Sequence, residues 1–322
     1  MKTNLSLKLR QGGLLESVYD NLLEAAKYGG PVEKQKHRQI ISQKRRLFYY
    51  KKLKKSYGRY ARKLARQLMA ADSKMDHARE KTVWFLWLQG LANAPEIVRL
   101  CHASQERQLR QMPGWRLVVL DETNMLDYAP LPAIVLDKWK RGVISSAHLS
   151  DLLRLELLTR RGGIWIDATV FLTDGSLLRR IANEPVLLPS QWYFFSGEIM
   201  KSDNWLIAAE KNNVLLLLQL KLLYTYWKQH DYALDYFLFH LFWTLTTEAL
   251  PEAFGRMPVV SKHPCELLQE ILAEPCDESK VSFILAQTGI HKLSHKIKGL
   301  AEENEGKRTV YGYLKTLADV GA

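Results

Sequence analysis

Only three cysteines occur in the 322 residues, Cys101, Cys265 and Cys276, and no two stand in a Cys-x-x-Cys spacing. An odd, scattered set excludes a disulfide framework, offers no zinc signature and fits a reducing compartment. With 18 glycines and 11 prolines the chain is neither collagenous nor of low complexity. Long hydrophobic runs are missing as well. The longest, Val214 to Leu223 and Leu234 to Leu245, are interrupted by Gln219 and Lys221 and by Asp235 and His240. Both fall short of the roughly 20 residues that cross a bilayer. The N-terminal segment has no apolar stretch ending in a small-residue cleavage site, so no signal peptide is expected. Acidic residues are absent between Lys34 and Arg66, where fourteen basic residues occur. The net charge of +12 therefore resolves into a segment of +14 and a remainder of 32 basic against 34 acidic residues. At 47% hydrophobic and 10% aromatic, that near-neutral remainder has material for a real core.

Residues 1–76 read as a basic helical arm. Leu53, Tyr57, Tyr60, Leu64 and Leu68 recur at steps of three or four, a helical stripe. The character changes near Lys81. Thr82 to Leu88 is a β-branched and aromatic run expected to be a buried strand, and Pro95 opens a helix through about Gln111. After the Pro113-Gly114 turn, Trp115 to Leu120 is a second strand; this spacing predicts a parallel βαβ unit. A helix from Ser146 to Arg160, capped by Ser145 or Ser146 and stopped by Gly162-Gly163, leads into a strand from Ile164 to Leu172. Short strands are expected at Val186–Leu188 and Tyr193–Phe195, mostly helix from Asn204 to Ala249, a late strand at Val281–Leu285, and a helical C-terminal tail over 301–322. The expectation is an α/β body, 77–300, behind the basic arm.

Chemistry concentrates between Ser145 and Phe171. Asp151 and Arg154, three apart, share a helix face. Such a pair reads either as a surface ion pair or as part of a polar pocket. Asp167 sits in an otherwise apolar strand, where a carboxylate is costly unless it is paired or binds a cation. The carboxyl ends of strands in an open α/β sheet are also where ligands bind. Trp192, Tyr193 and Phe194 read as a buried strand or as the lining of a sugar site.

The runs AHLSDLLR (147–154) and GGIWIDATV (162–170) resemble the capsular polysaccharide synthesis glycosyltransferases, relatives of the glycosyltransferases with an Asp-x-Asp sugar-binding motif. TVWFLWLQGLANAPEIVRLC, the VVLDETN around Asp121 and the segment Tyr226 to His240 resemble that family in order and spacing too, so the resemblance covers about residues 80–300. It implies a GT-A-like nucleotide-binding fold with a mainly parallel sheet flanked by helices. It also implies transfer of a sugar from a nucleotide-sugar, a UDP-sugar, to a glycan or lipid-linked acceptor, with retention and with a divalent cation, Mn2+ or Mg2+. By that resemblance Asp151, Arg154 and Asp167 are catalytic. Trp87, Gln89, Asp151, Arg154, Thr169 and Lys292 hold the donor; Trp87 stacks on the uracil or, on the residues alone, simply packs in the core. The metal falls to Asp167, Thr169 and His291, with His295 in reserve. Lys292 or Lys296 faces the diphosphate. Asp235 and His240 lie on the acceptor side or, on the residues alone, only pack or face solvent. One departure stands out: Asp167-Ala168-Thr169 has a hydroxyl where the motif has a second carboxylate, which puts the metal in question.

Two other functions compete. A cationic helix with interleaved tyrosines suits nucleic acid, but the charge is confined to the arm. A non-catalytic scaffold would explain the missing second Asp. The reading preferred is a transferase, cytoplasmic and peripheral at the inner membrane face, whose residues 34–66 meet an anionic membrane surface, with no nucleic acid expected.

Overall fold

The computed structural model describes residue 18 and residues 31–190, 199–297 and 299–319. The strand expected at Tyr193–Phe195 and the aromatics Trp192, Tyr193 and Phe194 lie outside the described residues. Helix α1 (Pro31–Asp72) leads into β1 (Thr82–Leu86), α2 (Glu96–Leu109) and β2 (Arg116–Leu120). Helices α3 (Met125–Tyr128), α4 (Ala133–Lys140) and α5 (Ser146–Arg161) precede β3 (Gly163–Ile166) and β4 (Val170–Leu172). Helix α6 (Ser176–Ile181), β5 (Val186–Leu187), β6 (Leu206–Ala209), α7 (Val214–Gln229), α8 (Leu238–Ala249) and α9 (Pro251–Gly255) follow. Then come α10 (His263–Glu270), α11 (Glu278–Gln287), β7 (Ile290–Lys292), the two-residue strands β8 (Glu303–Asn304) and β9 (Lys307–Arg308), and α12 (Val310–Asp319).

The central sheet has the order β2-β1-β3-β6-β5. Strand β1 runs parallel to β2 and β3, while β6 is antiparallel to both β3 and β5. Strand β6 alone therefore runs against the other four. Every residue of β1 is buried. With helices on both faces no polar side of the strand exists, so its sequence shows no alternation. Trp84, Leu86 and Trp165 join the larger core under α1, α5, α7 and α8; Val83 and Ile164 lie in the opposite one.

The α5–β3 junction depends on two glycines. Gly162 and Gly163 have φ of 69° and 103°, the left-handed half of backbone space. A Cβ at Gly163 would stand 2.4 Å from the Thr82 carbonyl oxygen, and one at Gly162 would stand 2.9 Å from that of Ala209. Strand β3 thus lies between β1 and β6 only because its first residue lacks a side chain. The Ser145 hydroxyl caps α5 by accepting from His148 N at 3.3 Å.

Four expectations need correction. The apolar run Ile164–Leu172 is two strands: the chain turns at Asp167-Ala168-Thr169, where Val170 N donates to Asp167 O at 3.0 Å, and β4 pairs with β7 in a second sheet. Val281–Leu285 is helical. Asp277 caps α11 by accepting from Ser279 N and Lys280 N, and Val281 and Ile284 bury at a helical interval; the late strand is β7. The helical stretch after Asn204 begins with β6. In the basic helix, Leu53, Tyr57 and Leu68 are buried as expected, but Tyr60 is exposed and Ala61 and Ala65 complete the stripe.

That stripe docks α1 on α7 and α8. Tyr57 packs edge-on to Phe242 at 5.3 Å between ring centroids and donates to Gln229 Oε1 at 2.8 Å. At the other end of the chain, Tyr311 and Leu314 of α12 are buried in the same cluster as Ile97 and Val98 of α2. Gly163→Ala is expected to cost about 3 kcal/mol or more of stability, from backbone strain and overpacking together. An unchanged urea midpoint would refute the close approach of β3 to β1.

Candidate active site

Strands β1, β2 and β3 end side by side, and their carboxyl ends carry Trp87, Asp121 and Asp167. Behind Asp167, the inner face of α5 presents Asp151 and Arg154 to the same place. Arg154 is 5% exposed, so its charge needs partners. It has them on every side. Nη2 lies 3.5 Å from Asp151 Oδ1 and 3.4 Å from Asp167 Oδ1 and donates to Ser150 Oγ at 2.9 Å. Nε donates to Ser150 O, Nη1 donates to Asn204 O, and the guanidinium lies over the Trp165 ring, 4.8 Å from its centroid. Asn204 Nδ2 in turn donates to Asp151 Oδ1 at 2.8 Å, and Trp165 Nε1 to Asp167 Oδ1 at 3.0 Å.

Lys292 reaches this pocket from the second sheet. The ladder pairs Val170 with Lys292, and Leu293 N donates to Thr169 O at 2.8 Å. The ammonium donates to Thr169 Oγ1 at 2.6 Å and to Leu293 O at 3.1 Å, and Asp167 Oδ2 lies 3.8 Å away. Asp151, Arg154, Asp167, Thr169 and Lys292, proposed from sequence, are therefore brought together. Trp87 is half-buried at the rim, its ring edge-on to His295 at 5.4 Å, and Gln89 is exposed beyond it.

The two acceptor-side residues part company. Asp235 is spent on fold: its carboxylate pairs with Arg45 of α1 at 3.1 Å and accepts from Phe237 N. His240 Nε2 lies 3.7 Å from Asp203 Oδ1, and Lys262 Nζ is 3.1 Å from the other oxygen. Burial pushes the Asp203 carboxyl up, but His240 and Lys262 outweigh it and hold it below the usual aspartate value. Asp203 adjoins Asn204, so His240 borders the pocket at one remove. Ser150, Trp165 and Asn204 were missed as site residues. Ser150 was legible as the neighbour of Asp151; Asn204 was hidden because β6 is four residues long and lacks a strand-like composition.

The capsular polysaccharide synthesis protein family matches residues 30–314, helix α1 included. The chain belongs to that family. Among curated relatives it is 35% identical over 101 residues to the O-glycosyltransferase braB of Annulohypoxylon truncatum, covering 29% of this chain and 24% of that protein. It is 32% identical over 100 residues to the glycosyltransferase afumC of Aspergillus fumigatus, covering 29% and 25%. The chain thus spans about a quarter of the length of these relatives. Two solved structures resemble it loosely. The PaToxG glycosyltransferase has 16% identity and a TM-score of 0.36 over 66% of this chain and 80% of its own. The glycosyltransferase GlyE of Streptococcus pneumoniae TIGR4 has 12% identity and a TM-score of 0.38 over 76% and 60%. Likenesses that loose carry no argument about the site.

For this member of the family, the donor set does not fit a divalent metal. The Asp167 carboxylate is held on one oxygen by Arg154 and Trp165 and faces an ammonium with the other. Thr169 brings no charge, and its hydroxyl oxygen already accepts from Lys292. His291 does not join them. Successive residues of a strand point to opposite faces, so Lys292 turns toward Asp167 and His291 turns inward, fully buried, with Nε2 3.1 Å from Thr173 Oγ1. Among the described residues, no group of three His, Cys, Asp or Glu side chains could hold a metal ion.

Burial pushes the His291 imidazole down from 6.5 to about 4. The folded protein then keeps it neutral, while the unfolded chain takes up a proton below about pH 6.5. Its contribution to stability is complete above that pH and is lost as the pH falls toward 4, by about 3 kcal/mol at most. His291→Gln is expected to flatten this part of the pH–stability curve. Parallel curves for the two proteins in urea titrations would exclude the buried neutral imidazole.

Proposed function

We propose that this chain is a glycosyltransferase that moves a sugar from a nucleotide-sugar, a UDP-sugar, to a glycan or lipid-linked acceptor in capsular polysaccharide synthesis. The observation that carries the reading is the buried Arg154 held between Asp151 and Asp167 at the carboxyl end of β3. A structural ion pair needs one carboxylate. Here a single guanidinium fixes two, and each keeps an outward-facing edge: 14% of the Asp151 side chain and 27% of that of Asp167 remain exposed.

Carboxylates held this way are suited to accept hydrogen bonds from sugar hydroxyls, and their fixed orientation lowers the entropy lost on binding. Trp87 offers a ring face at the rim for the base, a contact worth about 1–3 kcal/mol. In the transfer, the bond between the anomeric carbon and the terminal phosphate oxygen breaks, and its electron pair stays on that oxygen. The acceptor oxygen bonds to the anomeric carbon, and its proton passes to the departing diphosphate. Retention follows if both events occur on one face of the sugar. It is supported by the state of Asp151 and Asp167, both engaged by Arg154 and neither placed as a free base.

Asp167→Asn keeps the shape of the side chain and removes its charge. It is expected to lower turnover of the preferred nucleotide-sugar by about a hundredfold or more with little change in Tm. Near-wild-type turnover would refute the assignment of Asp167, and no turnover by the wild-type protein across a panel of nucleotide-sugars would refute the transferase reading.

The outer face of α1 supports a second part of the proposal, attachment to an anionic membrane surface. Lys44, Lys51, Lys55, Arg59, Arg62 and Arg66 are exposed there, while the apolar stripe is used against the body. No helix of the described residues is long and apolar enough to cross a membrane. Each basic residue at such a surface contributes about 1 kcal/mol, so phosphatidylserine-containing vesicles are expected to retain the protein at low salt and release it at high salt. Salt-sensitive binding to RNA without vesicle binding would reassign this face to nucleic acid.

A further inference from the structure

We propose that the Lys292 ammonium stands in for a divalent cation, so that diphosphate binding and departure in this site need no metal. The inference rests on the transferase reading and concerns how the negative charge of the leaving group is met.

Three oxygens surround Lys292 Nζ: Thr169 Oγ1 at 2.6 Å, Leu293 O at 3.1 Å and Asp167 Oδ2 at 3.8 Å. A hydroxyl, a backbone carbonyl and a carboxylate are ligands that a hard cation would take. Here their convergence point holds a fixed positive charge that the chain itself supplies. The position is built by backbone: β4 and β7 pair in register from Val170–Lys292 to Leu172–Ile290, and the Leu293 N to Thr169 O bond extends that register to the residue whose hydroxyl Lys292 meets. A metal ion on the same oxygens would lie within a few ångströms of the ammonium, with one carboxylate to offset both charges. Like charges at that distance repel strongly wherever solvent is partly excluded.

The ammonium also retains capacity for a ligand. It has three N–H donors and, among the described residues, spends two, on Thr169 and Leu293; at 3.8 Å, Asp167 is an ion-pair partner and not a hydrogen-bond acceptor. The third N–H can meet a phosphate oxygen. As the bond to the anomeric carbon breaks, that oxygen takes the electron pair and Lys292 strengthens its hydrogen bond without giving up its proton, because the acceptor's proton goes to the diphosphate. The replacement of the second motif carboxylate by Thr169 then has a physical reason. A second carboxylate beside Lys292 would neutralise the charge the leaving group needs, whereas a hydroxyl orients the ammonium and leaves that charge intact.

The test is calorimetric titration of the full chain with UDP, GDP, CDP and their monophosphates, in EDTA and again in manganese. The expected result is that one diphosphate binds in EDTA, with little change on adding manganese. Lys292→Met is expected to weaken that diphosphate about tenfold or more while leaving the matching monophosphate unaffected, and Lys292→Arg to restore part of the loss. The wild-type comparison stands even if the Met variant folds poorly. Diphosphate binding that appears only with manganese overturns the proposal and leaves the transferase reading in place, as does equal diphosphate affinity in folded Lys292→Met. Absence of binding by any diphosphate, with or without manganese, overturns both.

Discussion

The burial of one positive charge organises this molecule. A guanidinium that is 5% exposed cannot be left unpaired, and the partners of Arg154 come from three stretches of the chain. Ser150 and Asp151 lie on its own helix, Trp165 and Asp167 on and just beyond β3, and Asn204 two residues before β6. Satisfying that charge fixes the angle of α5 against β3 and the register of β6 against both. The glycine pair at 162–163 makes the geometry attainable by letting β3 begin hard against β1. Removing both carboxylates would leave the buried cation with no counter-charge, which ties the integrity of the pocket to its chemistry.

Much of this was legible from residue order, because the legible parts are local. Strand β1, helix α2, strand β2 and helix α5 were recognisable from short-range patterns: a β-branched and aromatic run, a Pro at a helix start, a Ser cap, a Gly-Gly stop. Asp151, Arg154 and Asp167 could be placed because they ride on those elements. What stayed hidden is what long-range packing decides. The run from Ile164 to Leu172 is apolar on both sides of its turn, so its hydrophobicity does not mark the change of sheet at Asp167. Val281 to Leu285 has strand-like residues but buries them at a helical interval under an Asp277 cap. His291 and Lys292 are adjacent in sequence and face opposite ways, a distinction that only the pairing partner of β7 determines. Tyr60 and Ala61 show the same limit in α1, where one residue of rotation decides which side chain meets the body.

Helix α1 illustrates how one segment serves two surfaces. Its composition alone is compatible with an arm free in solvent, yet Leu53, Tyr57, Ala61, Ala65 and Leu68 are core residues. The Arg45–Asp235 ion pair and the contact of Arg46 with the Phe237 ring, 4.5 Å from guanidinium to centroid, fasten it further along. The basic residues therefore form a fixed array on a docked helix. Such an array has a defined orientation relative to the pocket, which a flexible basic tail would lack.

The pairing of β4 with β7 carries a consequence for how the protein comes into being. Asp151, Arg154 and Asp167 lie within seventeen residues of one another, but Lys292 is more than a hundred positions further on. During synthesis the anionic wall of the pocket can assemble well before its ammonium is made, and β4 must wait with an unpaired edge until β7 emerges. Exposed edges of this kind recruit strands from other molecules. Chains shortened before residue 292 would therefore be defective in two ways at once: deprived of a charge in the pocket, and left with an adhesive edge beside it.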